Sequence, residues 1–388
     1  MIENRWLILF VLFLARTAMA LQFQTVASTG PFLIDALSID FAALGLLIGL
    51  YMLPGVVIAL PGGLLGQRFG AKRVVLAGLA LMAIGGGMMG LGSSFAVAAA
   101  GRIVSGTGAV LLTVLISKMV TDWFAGREIV TAMSIVIVSW PFGLAVGLVT
   151  YGALATASGW RAVMWFGAFA ALAAFALVAL AYRDPPGIAG ASPGGFRVGL
   201  TRREWLLVLI AGSIWGLFNV AYIVLISFAP DLFTARGYSL AAASSIVSII
   251  GWVLIPLIPF TGMVVERIGR SSAFMAGGFL AAALSASVLP FTSAPTVALA
   301  VVAFAIGVPA GLIMALPAQV LRPESRAGGM GVYFTCYYVA MALLPGAAGL
   351  ARDLSGSAAA PALFAAAMML LCIAALLSFI AAERAPPR

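Results

Sequence analysis

Gly63-Leu-Leu-Gly-Gln67-Arg68-Phe-Gly70-Ala-Lys72-Arg73 joins two long apolar runs, and Gly262-Met-Val-Val-Glu266-Arg267-Ile-Gly269-Arg270 joins two others. Gly63, Arg68 and Gly70 recur as Gly262, Arg267 and Gly269, each 199 residues on. The same offset carries Trp6 to Trp205, Pro31 to Pro230 and Arg127 to Arg326. Each match alone is weak, but one offset shared along the chain reads as a duplication. Two similar structural halves are expected.

Composition says what the halves are made of. The chain is 63% hydrophobic and 9% charged, with a mean hydropathy of +1.16. A soluble domain would be about 25% charged, so the chain reads as a polytopic membrane protein. Apolar runs fall near 6–28, 42–65, 74–93, 96–118, 131–153, 162–182, 205–228, 240–262, 272–291, 296–318, 328–350 and 360–382. Each is long enough to span, and in a bilayer the backbone must then be helical. The expected fold is all-α: twelve transmembrane helices in two six-helix bundles related by a pseudo-twofold along the membrane normal. The boundaries are residues 1–182, a linker at 183–203 holding Pro185, Pro186 and Pro193, and residues 204–388. Ala18-Met-Ala20 resembles a signal-peptide cleavage site. Arg16 would interrupt that signal, and the repeat needs the segment as its first helix.

Charge fixes the orientation. Of 21 Lys and Arg, sixteen fall on the side of the two termini. Three (Arg161, Arg236 and Arg352) fall on the other side, and two (Arg16 and Arg102) lie inside spans. The positive-inside rule then places both termini in the cytoplasm, with the chain in a bacterial inner membrane. The net charge of +9 is topological and points to no nucleic-acid partner. Cys336 and Cys372 lie in apolar segments, implying neither a disulfide framework nor a metal site. There is no histidine and no Gly-x-x-x-x-Gly-Lys-[Ser/Thr] loop, so no ATP-driven pump, enzyme or cofactor is expected.

Together these residues resemble the major facilitator superfamily along the whole chain. The loop at Gly63–Arg73 is similar to that superfamily's loop motif, in which a Gly is followed four residues on by an Asp, then Arg, Gly and a basic pair. Gln67 stands at the Asp position, and Glu266 keeps an acid in the second copy. Asp122-Trp-Phe-Ala-Gly-Arg127-Glu128 with Ala132-Met133, Gly159-Trp-Arg161, and Arg102-Ile-Val-Ser-Gly106-Thr-Gly108 extend the likeness. The resemblance implies alternating access and a gating role for Gly63, Gln67, Arg68, Gly70, Arg73, Asp122, Arg127, Glu128, Gly262, Glu266, Arg267, Gly269, Arg270 and Arg326. It also implies that the motif's acid meets the positive end of a helix, a contact worth about 0.3–1 kcal/mol. With Gln67, that contact would be neutral and weaker.

Arg16 lies eleven residues past Arg5, ~16 Å along a helix and near the middle of a ~30 Å hydrocarbon layer. A guanidinium there costs about 2.5–3.5 kcal/mol on insertion scales and cannot shed its proton. All twelve acids map to loops or span ends. A bound anion would offset the cost, and the guanidinium fork suits a carboxylate or phosphate. Arg16 could instead serve neighbouring carbonyls. Arg102 could face the same cavity or snorkel outward. The resemblance makes the first, fourth, seventh and tenth helices cavity-lining. Phe23 shares the Arg16 face, with Gln24 about 80° away, and Trp215, Asn219 and Tyr222 form a stripe on the seventh span, where packing is an alternative to ligand contact. Tyr51, Tyr337 and Tyr338 could add hydroxyl donors.

The expectation is a secondary active or exchange transporter of a small organic or inorganic anion, monomeric in the bilayer. Arg16 is its main clamp and Arg102 an auxiliary, and a co-transported proton or an exchanged anion supplies the coupling. Ser28-Thr-Gly-Pro31 after a first-helix arginine is similar to the cyanate-permease branch. The alternative is a multidrug or metabolite exporter of the same superfamily, although cationic drugs would call for an acid inside a span.

Overall fold

The computed structural model describes residues 5–124, 128–185, 199–322 and 325–384. Among the described residues, twelve helical stretches are long and apolar enough to cross a membrane. The first repeat comprises α1 (Arg5–Ser28), α2 (Gly30–Leu37), α3 (Phe41–Leu50), α4 (Gly55–Phe69), α5 (Ala71–Leu91), α6 (Phe95–Phe124), α7 (Ile129–Ser158) and α8 (Trp160–Ala181). The second comprises α9 (Arg202–Thr234), α10 (Leu240–Val247), α11 (Ile249–Ile268), α12 (Ser271–Val288), α13 (Pro295–Val320), α14 (Arg326–Ser355) and α15 (Ala360–Arg384).

The 199-residue offset reappears in local geometry. Asp40 Oδ1 accepts from Ala43 N at 2.8 Å, and Ser239 Oγ accepts from Ala242 N at 3.2 Å, so equivalent residues cap equivalent helices. Ser38 and Gly237 both take positive φ (50° and 91°), as do Gly70 and Gly269 (87° and 72°). The last two end α4 and α11, where a left-handed turn without a Cβ lets the chain reverse into the next helix. The second span differs from the expected single run at 42–65. It is two helices, α3 and α4, separated by a turn at residues 51–54 that ends in Pro54.

Contacts divide the chain into two compact units, one of Met1–Ile39 with Leu50–Gly194, the other of Asp40–Gly49 with Gly195–Arg388. Within the first, α1 packs on α7 and α8, and α5 on α6 and α8. Within the second, the equivalent helices pair in the same way: α9 on α14 and α15, α12 on α13 and α15. Lipid tails are as apolar as leucine, so close fit rather than transfer from water holds such helices together. A Cβ on Gly108 of the Arg102-Gly106-Gly108 motif would lie 2.1 Å from the Gly78 carbonyl oxygen, so α5 and α6 meet backbone to backbone.

Each unit ties its first helix to the loop before its fifth span with an ion pair. Arg5 meets Glu128 at 2.7 Å in the first unit. In the second, Glu204 accepts from Arg322 through its backbone N (3.1 Å), Nε (3.1 Å) and a terminal nitrogen (3.0 Å), and from Ser325 Oγ at 2.6 Å. Glu204 also completes a capping box with Thr201 at the start of α9. The polarity is reversed: the position of Glu204 in the first repeat is Arg5.

Candidate functional site

Arg16 projects from the middle of α1 and is half-buried within the first unit. The next turn is held from two sides. Tyr51 donates its hydroxyl to Met19 O at 3.2 Å, and Thr113 on α6 donates to Met19 Sδ at 3.2 Å. On the α7 side, Gly143 brings its backbone against Thr17 and Ala20, where a Cβ would lie 2.6 Å from Ala20 Cβ and 2.8 Å from Thr17 O. Helix α1 is thereby fixed in rotation around Arg16.

Arg102 neither snorkels nor opens to a cavity; it is fully buried. Its guanidinium donates to the carbonyls of Gln22 (3.2 Å) and Phe23 (3.3 Å) and lies over the rings of Tyr51 (4.4 Å) and Phe23 (5.5 Å). These carbonyls lie within α1, more than a turn before its end at Ser28, and the Gln22 oxygen also accepts from Thr25 Oγ1 at 2.8 Å. Backbone carbonyls and π faces thus meet the charge on these sides. Tyr51, expected on a helix, sits instead in the turn between α3 and α4. A Cβ on Gly106 would lie 2.1 Å from Tyr51 O, so that glycine is what admits the turn to α6.

Gln24 is fully buried; its amide donates to Ser28 Oγ at 3.1 Å while its Oε1 makes no hydrogen bond. Its stem lies against Gly147 on α7, where a Cβ would fall 3.1 Å from Gln24 Cγ and 3.2 Å from Tyr151 Cε2, and the Tyr151 hydroxyl is likewise buried and unbonded.

In the second unit, the stripe on α9 belongs to an aromatic cluster with α14. Trp215 lies nearly parallel to Phe218 (centroids 5.8 Å, 18°) and to Tyr333 (6.5 Å, 18°), and at 6.1 Å from Tyr337. Tyr337 in turn packs edge-on against Tyr338 at 4.9 Å. Trp215, Asn219 and Tyr337 are half-buried; Tyr222 and Tyr338 are buried. Asn219 donates to Trp215 O at 2.8 Å, a bond within its own helix, and the buried Tyr222 hydroxyl has no hydrogen bond. Tyr333 went unnoticed in the sequence, although its four-residue spacing from Tyr337 places both on one face of α14.

The described acids sit at helix ends. Asp122 pairs with Lys118 at 2.5 Å, Glu128 with Arg5, Glu204 with Arg322, and Asp231 with Arg352 at 2.9 Å. Asp40 and Asp353 accept from backbone amides of α3, and Asp35, Asp184 and Glu383 are exposed. Of the loop-motif residues, Arg68, Arg73, Arg267, Arg270 and Arg326 are exposed, and a Cβ on Gly262 would meet nothing within 4 Å. Arg127 lies outside the described residues, as do the side chains of Gly63, Gln67 and Glu266. Lys72, read from sequence as a topological charge, closes the end of α8 by donating to Ala179 O (2.9 Å) and Tyr182 O (2.7 Å).

The family model described as Major Facilitator Superfamily matches residues 8–345 and 220–388. The hexuronate transporter of Bacillus subtilis is 23% identical over 64% of this chain, an alignment that spans 61% of that protein. The chain thus aligns with less than two thirds of that relative's length. A bacterial homologue of the human lysosomal transporter Spinster superposes with a TM-score of 0.80 at 17% identity, covering 99% of this chain and 98% of that one. The xylose transporter XylE of E. coli superposes with a TM-score of 0.79 at 14% identity, covering 97% and 96%. At such identities these likenesses speak for the fold alone. With a family model matching nearly its whole length, the chain belongs to the Major Facilitator Superfamily and is a membrane transporter rather than an enzyme.

Proposed function

We propose that this transporter carries a small organic anion by alternating access, as a secondary active or exchange carrier, with Arg16 as the group that receives the negative charge. One observation carries the reading. Arg16 stands half-buried at mid-membrane depth in a chain that has no histidine and whose acids all map to loops or span ends. A fixed positive charge there favours a solute that brings the opposite sign. Arg102 is assigned to positioning rather than to the solute, because its guanidinium is fully buried on α1 carbonyls. A hexuronate, the solute in the name of one relative, is a sugar that carries a carboxylate. The charge count supports a bacterial inner-membrane location with cytoplasmic termini.

The test is counterflow in proteoliposomes with D-glucuronate, benzoate and nitrate as anions, xylose as a neutral solute and tetraphenylphosphonium as a cation. At least one organic anion should be carried, and Arg16→Gln should abolish its uptake, with Arg16→Lys retaining part of it. Carriage of the cation or the neutral sugar that survives Arg16→Gln would sink the proposal.

A further inference from the structure

The second unit has a cavity of about 370 Å³ at the corner where α9 begins and α13 and α15 finish. Leu207 and Val320 give it an apolar wall, and Arg203, Gln319, Arg322 and Glu383 a polar one. Small-molecule sites of this size combine such walls with a few placed polar groups. Arg322 is fixed by the Glu204 carboxylate and by Gly199 O at 3.2 Å, yet its side chain is 55% exposed. Arg203 donates to Glu383 O near the end of α15 and is otherwise exposed. The Glu204 carboxylate is already engaged by Arg322, Ser325 and Thr201. Arg202 and Arg384 flank the lining residues in sequence, so four arginines stand against Glu204 and Glu383. The first repeat builds this corner differently. The equivalents of Gln319 and Arg322 are Val120, which is buried, and Trp123, whose indole donates to Arg183 O at 3.0 Å just past α8. An indole and an aliphatic side chain in one repeat thus become an exposed guanidinium and amide beside a cavity in the other.

We propose that this cavity binds a phosphate group, of an anionic lipid headgroup or of a soluble phosphate, between Arg203 and Arg322. A guanidinium offers phosphate oxygens a planar fork of donors, and two of them can hold one phosphate from two sides. Arg322 is pre-set for this by Glu204, so little of its freedom is left to lose on binding. Gln319 can add an amide donor, and Leu207 and Val320 give the carbon part of a phosphate ester an apolar wall. Basic pockets at helix ends on the charged face of a membrane are where anionic headgroups are met. The site lies in the second unit and Arg16 in the first, so it stands or falls independently of the solute assigned to Arg16.

The full chain is purified in detergent and titrated with phosphatidylglycerol, phosphatidylcholine or inorganic phosphate. Lipid adducts are counted by native mass spectrometry, and phosphate is followed by equilibrium dialysis. One saturable site is expected, weakened about tenfold by Arg203→Gln through loss of one charged contact. Gln319→Phe, at an exposed position on the cavity wall, should weaken it as much by filling the space with no change of charge, so the test stands even if Arg203→Gln disturbs the end of α15. Arg270→Gln removes an exposed charge from another loop and should leave binding unchanged. A site for phosphatidylglycerol over phosphatidylcholine that follows this pattern identifies a lipid headgroup; a site for inorganic phosphate alone that follows it identifies a soluble ligand. No saturable site for either, unchanged binding in both cavity variants, or an equal loss in Arg270→Gln overturns the proposal.

Discussion

Arg102 offers a test in which the conservative replacement is the damaging one. Its hydrogen bonds to the Gln22 and Phe23 carbonyls, at 3.2 and 3.3 Å, are long for charged bonds, so about 1.5 kcal/mol each is appropriate. The desolvated cation–π contact with Tyr51 adds about 2 kcal/mol and the longer one with Phe23 roughly 0.5. Against the gross gain of about 5.5 kcal/mol from these contacts stands the removal of an ion from water, several kcal/mol after relaxation. The net is small. Arg102→Met keeps an unbranched stem, removes the desolvation term, and leaves two carbonyls that already sit within a helix. It should lose no more than about 2 kcal/mol, roughly 4–8 °C in Tm for a unit of this size. Arg102→Lys keeps the desolvation term but loses the planar fork that reaches both carbonyls, so it should be the less stable variant by at least about 1 kcal/mol. Thermal unfolding followed by tryptophan fluorescence in detergent gives the ranking. A Lys variant as stable as the parent, or a Met variant that loses more than about 4 kcal/mol, would refute the view that the guanidinium geometry, rather than positive charge alone, holds α1.

The remaining expectations concern packing and the ion pairs. Gly106→Ala should destabilise by about 1–3 kcal/mol, because its Cβ would fall 2.1 Å from Tyr51 O; Gly262→Ala, with open space around it, should be silent in the same melt. Glu204→Gln should cost about 2–3 kcal/mol, since the buried carboxylate joins Thr201, Arg322 and Ser325, whereas Glu128→Gln should cost under about 1 kcal/mol because its side chain is 46% exposed. Equal effects of the two would show that burial does not separate these ties.

The fold was legible because its signals are one-dimensional. Span length, an apolar composition and a fixed offset need no knowledge of which residues face each other. Facing was harder to read, since most of these helices are apolar nearly all round and carry no periodic stripe to set their rotation. Arg102 shows the consequence: its depth was readable, but whether it pointed to a cavity, to lipid or to α1 depended on a rotation that the sequence leaves open. Glu204 and Arg322 were counted as loop charges because 118 residues separate them. The break at Tyr51–Pro54 left a trace in Pro54, but hydropathy runs through it without interruption, so the segment read as one helix. Trp215 and Tyr337 were read separately, one as part of a stripe on the seventh span and the other as a hydroxyl donor; their ring contact, with Tyr333 beside them, depends on which faces of α9 and α14 meet, which the sequence does not carry.

Duplication makes the distribution of charge informative in a way that a single bundle would not be. At the helix ends the two repeats keep the same tie with opposite polarity, Arg5 to Glu128 in one and Glu204 to Arg322 in the other. A structural tie needs unlike charges and is indifferent to which helix carries which, so the sign is free to drift. Inside the spans one sign occurs, and in one repeat alone. Arg16 and Arg102 lie in the first repeat, and their equivalents are Trp215 and Val301, with no carboxylate at mid-span in either half. Arg102 is a structural tie to the α1 carbonyls; were Arg16 a tie of the kind found at the helix ends, a partner acid or an inverted pair would serve equally well. A solute of one charge sign breaks that equivalence, because it can neutralise an arginine and never an aspartate. The contrast between paired charges of exchangeable polarity at the ends and a single sign at depth is the physical reason to look for an anion at Arg16.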